Sequence, residues 1–179
     1  MPILAWLDPH GTDYAPGVEQ EVDLSASSLT QLEEISAAAE KAGRTARVHL
    51  KIDTGLSRNG CPAARWPELV ERAAKTPNVE VHSIWSHLAA ADEIGHRATD
   101  AQAERFDDAY REAVAAGLDP RRHIANSAAL ITRPDLHLDL VRPGIAIYGL
   151  NPVPVPTDLR PVMTFRSAVA LVKRIPAGE

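Results

Sequence analysis

Four polar clusters stand out because each follows a short apolar run. Asp53-Thr54-Gly55-Leu56-Ser57-Arg58-Asn59-Gly60 follows Val48–Ile52, a run that itself contains Lys51. Ser86-His87 follows Val79–Trp85, Asn126-Ser127 follows His123–Ala125, and Arg142-Pro143-Gly144-Ile145 follows Leu138–Val141. The chemistry these residues suggest is anion binding. Arg58 and Arg142 are planar donors that keep their charge. Ser127 opens a short turn whose free backbone N–H groups could face a phosphate. Gly144, with no side chain, lets backbone approach a ligand closely.

The elements that must position these residues alternate along the chain. Apolar runs at Ile3–Leu7, Val22–Leu24, Val48–Ile52, Val79–Trp85, His123–Ala125 and Leu138–Val141 have the length of buried parallel strands. Between them lie helix patterns. Ser28 with Gln31 reads as a capping box opening a helix to Ala42, closed by Gly43. A helix over Pro67 to Lys75 is closed by Thr76-Pro77. Thr99 with Gln102 reads as a second box, opening a helix that carries Phe106, Tyr110 and Ala113 on one face and stops at Gly117. Alternating strand and helix predicts a parallel sheet. Parallel α/β folds collect their chemistry at the carboxyl ends of strands. Four polar clusters at four successive strand ends therefore predict one shared site on one rim. A phosphate site on the last two strands is a recurrent barrel arrangement.

Residues 151–161, beginning Asn151-Pro152-Val153-Pro154-Val155-Pro156, read as a proline-rich linker. Met163–Ile175 then reads as a longer strand with no helix after it, the first strand of a separate β domain over 162–179. Both chain ends look cut, the first directly in a strand-like run beginning Met1-Pro2-Ile3.

Composition narrows the class. The chain has 179 residues, 45% hydrophobic and 24% charged, with net charge −5, as expected of an ordinary globular protein. The acidic balance argues against a nucleic-acid partner. No apolar run approaches the ~20 residues that span a bilayer. The opening apolar residues lack the basic start of a signal peptide. The single Cys61 excludes an internal disulfide and fits a reducing cytoplasm.

The run Val48-His49-Leu50-Lys51-Ile52-Asp53-Thr54-Gly55-Leu56-Ser57-Arg58-Asn59-Gly60 resembles the alanine racemase segment K-x-D-T-G-[ML]-x-R-x-G. The match continues in the family's order with Ser86-His87-Leu88-Ala89, Ala91-Asp92-Glu93, Ala125-Asn126-Ser127-Ala128-Ala129, and Leu140-Val141-Arg142-Pro143-Gly144-Ile145-Ala146-Ile147-Tyr148-Gly149. The resemblance covers essentially the whole chain. It implies an α/β fold, a (β/α)8 TIM-type barrel present in part (about strands 3 to 8) over residues 1–150, followed by the start of a C-terminal β domain. It also implies pyridoxal 5'-phosphate as cofactor, L- and D-alanine as substrates, D-alanine supply for peptidoglycan, a homodimer and a cytoplasmic location.

Residue by residue, Arg142 matches the arginine that donates to the cofactor's pyridine nitrogen. Ser127, with backbone at Gly144 and Ile145, matches the phosphate cradle. Arg58 matches the arginine near the cofactor's phenolic oxygen and the substrate carboxylate. Lys51 matches a supporting lysine, often carbamylated in the family, that orients this arginine. His87 matches a histidine near the ring, hydrogen-bonded to the arginine equivalent to Arg142.

The departures are as informative. The family's Schiff-base lysine sits in a K-A-[DN]-[AG]-Y-G-H-G block and its second acid/base in a G-Y-A-D-G block. Neither occurs here. Lys41, Lys51, Lys75 and Lys173 lack the first context, and Tyr14, Tyr110 and Tyr148 lack the second. The resemblance thus implies an isomerase segment that is inactive alone. Its six strands would leave two open sheet edges and poor solubility.

Other readings are weaker. A non-catalytic pyridoxal-phosphate-binding barrel fits the cradle but not the β-domain start. A metal hydrolase would need ligands such as His49, Asp53, His87 and His123 to converge, and no compact His-x-His pattern supports that. His10, His49, His82, His96, His123 and His137 read as surface or barrel-wall residues. Asn126 reads as a cap, and Trp85 and Tyr148 as packing. Glu68, Glu71, Arg72, Asp107, Asp108 and Arg111 read as solvated helix faces.

Overall fold

The computed structural model describes residues 3–178; Met1-Pro2, at the head of the first apolar run, and Glu179 lie outside the described residues. Strands and helices alternate from the start: β1 (Leu4–Ala5), α1 (Ala15–Glu19), β2 (Asp23–Ala26), α2 (Leu29–Ala42), β3 (Ala46–Lys51), α3 (Trp66–Ala73), β4 (Val79–Trp85), α4 (Arg97–Ala115), β5 (Arg121–His123) and α5 (Ser127–Thr132). The strands form one sheet in the order β1-β2-β3-β4-β5, every neighbouring pair parallel. Strand order following chain order is how a barrel wall is laid down, each helix crossing back over the outside. The result is a partial (β/α)8 barrel.

Alternation along each strand sorts the side chains into two layers. Val48, Leu50 and Ile84 join the core formed with Leu32, Ile35 and Ala39 of α2, Leu69, Val70 and Ala73 of α3, and Phe106, Ala109 and Ala113 of α4. The alternate positions carry polar and aromatic groups that meet one another instead. Trp85 Nε1 donates to Ser25 Oγ at 3.0 Å, and His49 contacts Asp23 and His123. The barrel interior is therefore polar, and the apolar core lies between sheet and helices.

The helix boundaries follow the sequence with local differences. At α2, Ser28 Oγ accepts from Gln31 N at 3.2 Å, while the Gln31 side chain reaches back to Ser27 N at 2.9 Å, one residue earlier than the expected reciprocal pair. Gly43 closes the helix in the left-handed conformation. α4 begins earlier than expected. His96 Nδ1 caps it by accepting from Ala98 N at 3.2 Å, and Thr99 and Gln102 are buried inside the helix rather than capping it. The short helix α1 has no counterpart among the sequence expectations; Pro16 lies in its first turn.

Two expected strands do not form. The Leu138–Val141 run lies beside β5, with Asp139 N donating to Arg122 O at 3.2 Å and Arg142 N to Ala125 O at 3.0 Å. It is not a strand because Leu138 takes a positive φ of 48°, and the Asp139 carboxylate, not a backbone carbonyl, takes the Arg122 N–H at 2.8 Å. Residues 163–175 carry no strand and no ladder partner. Their side chains face solvent, Phe165 at 94% exposure.

Candidate active site

The cavity at the carboxyl end of the sheet measures about 640 Å³ and is lined by Trp6, His87, Asn126, Ser127, Arg142, Gly144 and Ile145 among others. The expected cluster thus comes together, apart from Arg58 and Lys51, which stand beside it. Asn126 caps α5 by accepting from Ala129 N at 3.0 Å, as its turn position suggests. That places Ser127 at the first turn, where its Oγ accepts from Gly144 N at 2.8 Å and Ala146 N at 3.3 Å. The Ser127 hydroxyl hydrogen has no acceptor among the described residues, so it remains free to donate to an anion. A side chain at Gly144 would meet nothing within 4 Å; its bare backbone faces open space.

Arg142 is held from several sides. One terminal nitrogen donates to His123 Nδ1 at 2.7 Å and the other to Ser86 O at 2.7 Å. Its guanidinium carbon lies 4.8 Å from the Trp85 ring centre and 5.8 Å from that of Trp6. These are distances at which a cation is attracted to an aromatic face. Burial lowers its pKa to about 10, which still leaves it charged at neutral pH. His123, not His87, is its imidazole partner: the position assigned by resemblance is corrected here, because β5 delivers His123 directly beneath the guanidinium. His87 lines the cavity and is pushed down to about 4 by burial first, then by the charges of Arg142, Arg58 and Lys51. It is a neutral ring at pH 7.

Lys51 is 1% exposed, and its Nζ makes no hydrogen bond. The ammonium sits 4.3 Å from the Trp85 ring centre. Burial, then Arg58 and Arg142, lowers its pKa to about 8. A buried ammonium without a partner is costly unless something pairs with it, and the lowered pKa makes the neutral amine more accessible than in an ordinary lysine. Arg58 is exposed and makes no side-chain hydrogen bond among the described residues. It rides on a loop shaped by Asp53, whose Oδ1 accepts from Gly55 N at 2.9 Å and Ser57 N at 3.1 Å. Gly60 closes that loop at φ 125°, where a Cβ would come within 2.7 Å of Asp53 N. Arg58 acts on the site through its charge on Lys51 and His87.

His49, His123 and Asp23 also belong to this arrangement, a role the polar clusters in the sequence do not point to. His49 is 2% exposed and His123 0%, so both are barrel-wall residues rather than surface ones. His49 alternates with Lys51 on β3, and that i, i+2 spacing was a usable signal for a shared interior face. Gln102, which its spacing from Thr99 marks as a cap, does not serve as one. Its Nε2 instead donates to Thr54 Oγ1 and to His87 O, both at 3.0 Å, tying the Arg58 loop to the His87 turn.

The donors fit a phosphorylated planar ring: a free hydroxyl and bare backbone at Ser127 and Gly144, and a charged arginine stacked over indole at the far side. The family model for the alanine racemase N-terminal domain matches residues 1–152. The chain is 51% identical over 183 aligned residues to the alanine racemase of Salinispora tropica, covering 99% of this chain. The chain belongs to the alanine racemase family.

Solved structures of the family agree. Alanine racemase from D-cycloserine-producing Streptomyces lavendulae superposes with a TM-score of 0.84 at 46% identity, over 86% of this chain and 41% of that one. A racemase from Bartonella henselae, solved with covalently bound pyridoxal phosphate, superposes with a TM-score of 0.74 at 25% identity, over 87% of this chain and 42% of that one. The chain spans about half the length of the curated relatives it matches: 49% of the Salinispora protein.

Proposed function

We propose that this chain builds the cofactor cradle of an alanine racemase, a pyridoxal-phosphate-dependent isomerase interconverting L- and D-alanine. The observation that carries the reading is the joining of Ser127, Gly144 and Arg142 in the lining of one cavity, with the Ser127 hydroxyl given no acceptor among the described residues and the Arg142 charge beside it. The cofactor named in the Bartonella relative supports it. Residues 1–150 form the barrel part, 151–161 the linker, and 162–179 the start of the β domain.

Ser127 and the backbone at Gly144 and Ile145 would hold the phosphate. Arg142 would donate to the pyridine nitrogen and, being an arginine, would keep its proton. His87 would meet the ring as a neutral group. Arg58 receives the substrate carboxylate. Lys51, as a free amine, adds carbon dioxide to become a carbamate and releases a proton; the carbamate's negative charge then pairs with Arg58. The bound cofactor supplies an electron-accepting ring that stabilises charge at the substrate α-carbon. The groups that move protons at that carbon belong to the two sequence blocks these 179 residues lack, so this chain by itself racemises alanine at no measurable rate. The active protein is a cytoplasmic homodimer that supplies D-alanine for peptidoglycan and binds neither nucleic acid nor membrane; no helix among the described residues is long and apolar enough to cross a bilayer.

Titration with pyridoxal 5'-phosphate, followed by quenching of tryptophan fluorescence, tests this reading. Trp6 lines the cavity, and the Trp85 ring centre lies 5.3 Å from that of Trp6 at a tilt of 37°. Ser127→Ala and Arg142→Leu should each weaken binding about tenfold or more, the effect of losing a charge-assisted contact. Unchanged affinity in both variants contradicts the assignment.

A further inference from the structure

Beneath Arg142 a line of buried side chains runs away from the cavity toward the opposite end of the sheet. Arg142 contacts His123 Nδ1 at 2.7 Å, His123 Nε2 contacts His49 Nδ1 at 2.9 Å, and His49 Nε2 contacts Asp23 Oδ2 at 3.2 Å. Asp23 Oδ1 is taken by Arg47 at 2.5 Å. Asp23, His49 and His123 are all nearly or fully buried, so no water competes for these contacts.

Hydrogen-bonding inventory fixes the direction of every proton in this line. An arginine has only donors, so His123 Nδ1 must be a bare lone pair and its proton must sit on Nε2. That N–H donates to His49, whose Nδ1 must therefore also be bare, leaving its proton on Nε2 to meet the carboxylate of Asp23. A carboxylate accepts only. Donor-only and acceptor-only groups at the two ends thus allow one arrangement, with both histidines neutral and both in the same tautomer. The rings have no room for a second proton: His49 faces Asp23, His123 and the stacked His82, and His123 faces His49, Arg142 and the stacked Trp85. Burial lowers both pKa values, to about 4 for His49 and about 2 for His123.

We propose that Asp23 and His49 are positioning residues for Arg142: they set the tautomer of His123, and that tautomer presents the lone pair that holds the guanidinium in place for the cofactor ring. The inference rests on the reading of Arg142 as the ring-nitrogen donor. It assigns a role at the site to an aspartate on β2 that does not line the cavity, and to a histidine that reaches it only through another. Two neutral rings carry the polarity of the Asp23 carboxylate from one end of the barrel wall to the other without carrying its charge.

Nitrogen-15 spectra of the histidine rings in the ligand-free chain test the inference directly, with His49→Gln and His123→Gln supplying the assignments. The expected result is the Nε2–H tautomer for both rings, unchanged from pH 8 to pH 5.5. An Nδ1–H tautomer, a mixture, or protonation in that range overturns it. Asp23→Asn provides the second arm. With Arg47 keeping the amide oxygen, the isosteric side chain turns its NH2 toward His49, reverses that tautomer, and sets a proton of His123 against Arg142. Affinity for pyridoxal 5'-phosphate should then fall about tenfold, while affinity for inorganic phosphate, which needs only the Ser127 end, stays within twofold. Unchanged tautomers and unchanged cofactor affinity in Asp23→Asn overturn the inference, as does an equal loss for both ligands, which marks general loosening. Failure of the cofactor reading itself looks different: the unsubstituted chain would not bind pyridoxal 5'-phosphate at all.

Discussion

Residues 79–85 and 163–175 have the same kind of sequence and meet different fates. Val79-Glu80-Val81-His82-Ser83-Ile84-Trp85 becomes β4, paired by β3 on one side and β5 on the other, with Ile84 and Trp85 almost fully buried. Met163–Ile175 is also rich in β-branched and apolar residues, with Thr164, Phe165, Val169, Val172 and Ile175 among them, yet it pairs with nothing, and Phe165, Leu171 and Val172 lie open to solvent. β-propensity describes how well a side chain fits a half-buried pleated surface, and it is realised only where neighbours supply that surface. The barrel part supplies it for five strands; the sixth apolar run lies beside β5 but is broken by its own backbone turn at Leu138, and nothing among residues 3–178 supplies it for the tail.

The sharpest way to break this contrast is by deletion of packing. Trp66 is 1% exposed, packs between α3 and α4, and donates its Nε1 to Ala109 O at 2.9 Å. Trp66→Ala should cost roughly 3–5 kcal/mol by denaturant unfolding, the range for large aromatics lost from a core. Phe165→Ala removes a ring of similar size and should stay within about 0.5 kcal/mol. A comparable cost at both positions would mean that the tail is packed after all.

Acid should separate the two regions next. The folded-state pKa values of His49 and His123 lie below the ~6.5 of an unfolded histidine. As pH falls from about 6.5 to about 4, the unfolded chain takes up protons that the folded chain refuses, so stability falls with pH. The slope should be on the order of 1 kcal/mol per pH unit for each buried histidine. Removing residues 162–179 should leave that slope unchanged, because His49 and His123 both sit inside the barrel wall. A flat stability profile over this range, measured by urea unfolding, would contradict the buried neutral pair. The smallest effect is local. Gly60→Ala forces a side chain into a positive φ and against Asp53 N. It should cost about 1–3 kcal/mol and loosen amide exchange across residues 53–60, leaving exchange in α2 and α3 as before.

The sequence made the candidate site legible because its information there is local. Each polar cluster follows a short apolar run, so Ser127, Gly144, Arg142 and His87 could be placed in one cavity by counting from the ends of those runs, even though the run before Arg142 forms no strand. The interior line was illegible for the opposite reason. His49 and His123 are 74 residues apart, and their contact exists only because β3 and β5 flank β4 with the right stagger. The same non-local pairing explains Gln102. A Thr-x-x-Gln spacing reads as a helix cap when only neighbours are considered, but the helix starts earlier and Gln102 is spent on Thr54 and His87 across the fold. The Leu138–Val141 run shows the limit of apolar length as a strand signal, since one residue in a left-handed conformation and one aspartate side chain suffice to break the ladder.

The most direct test of the central claim, a cofactor cradle without its anchoring lysine, is borohydride reduction of the chain saturated with pyridoxal 5'-phosphate, followed by peptide mapping. The expected result is saturable binding that phosphate competes for, with no stoichiometric adduct on any one lysine. A single adduct trapped on Lys51, the buried amine beside the cavity, would contradict it and make that lysine the centre of a different chemistry.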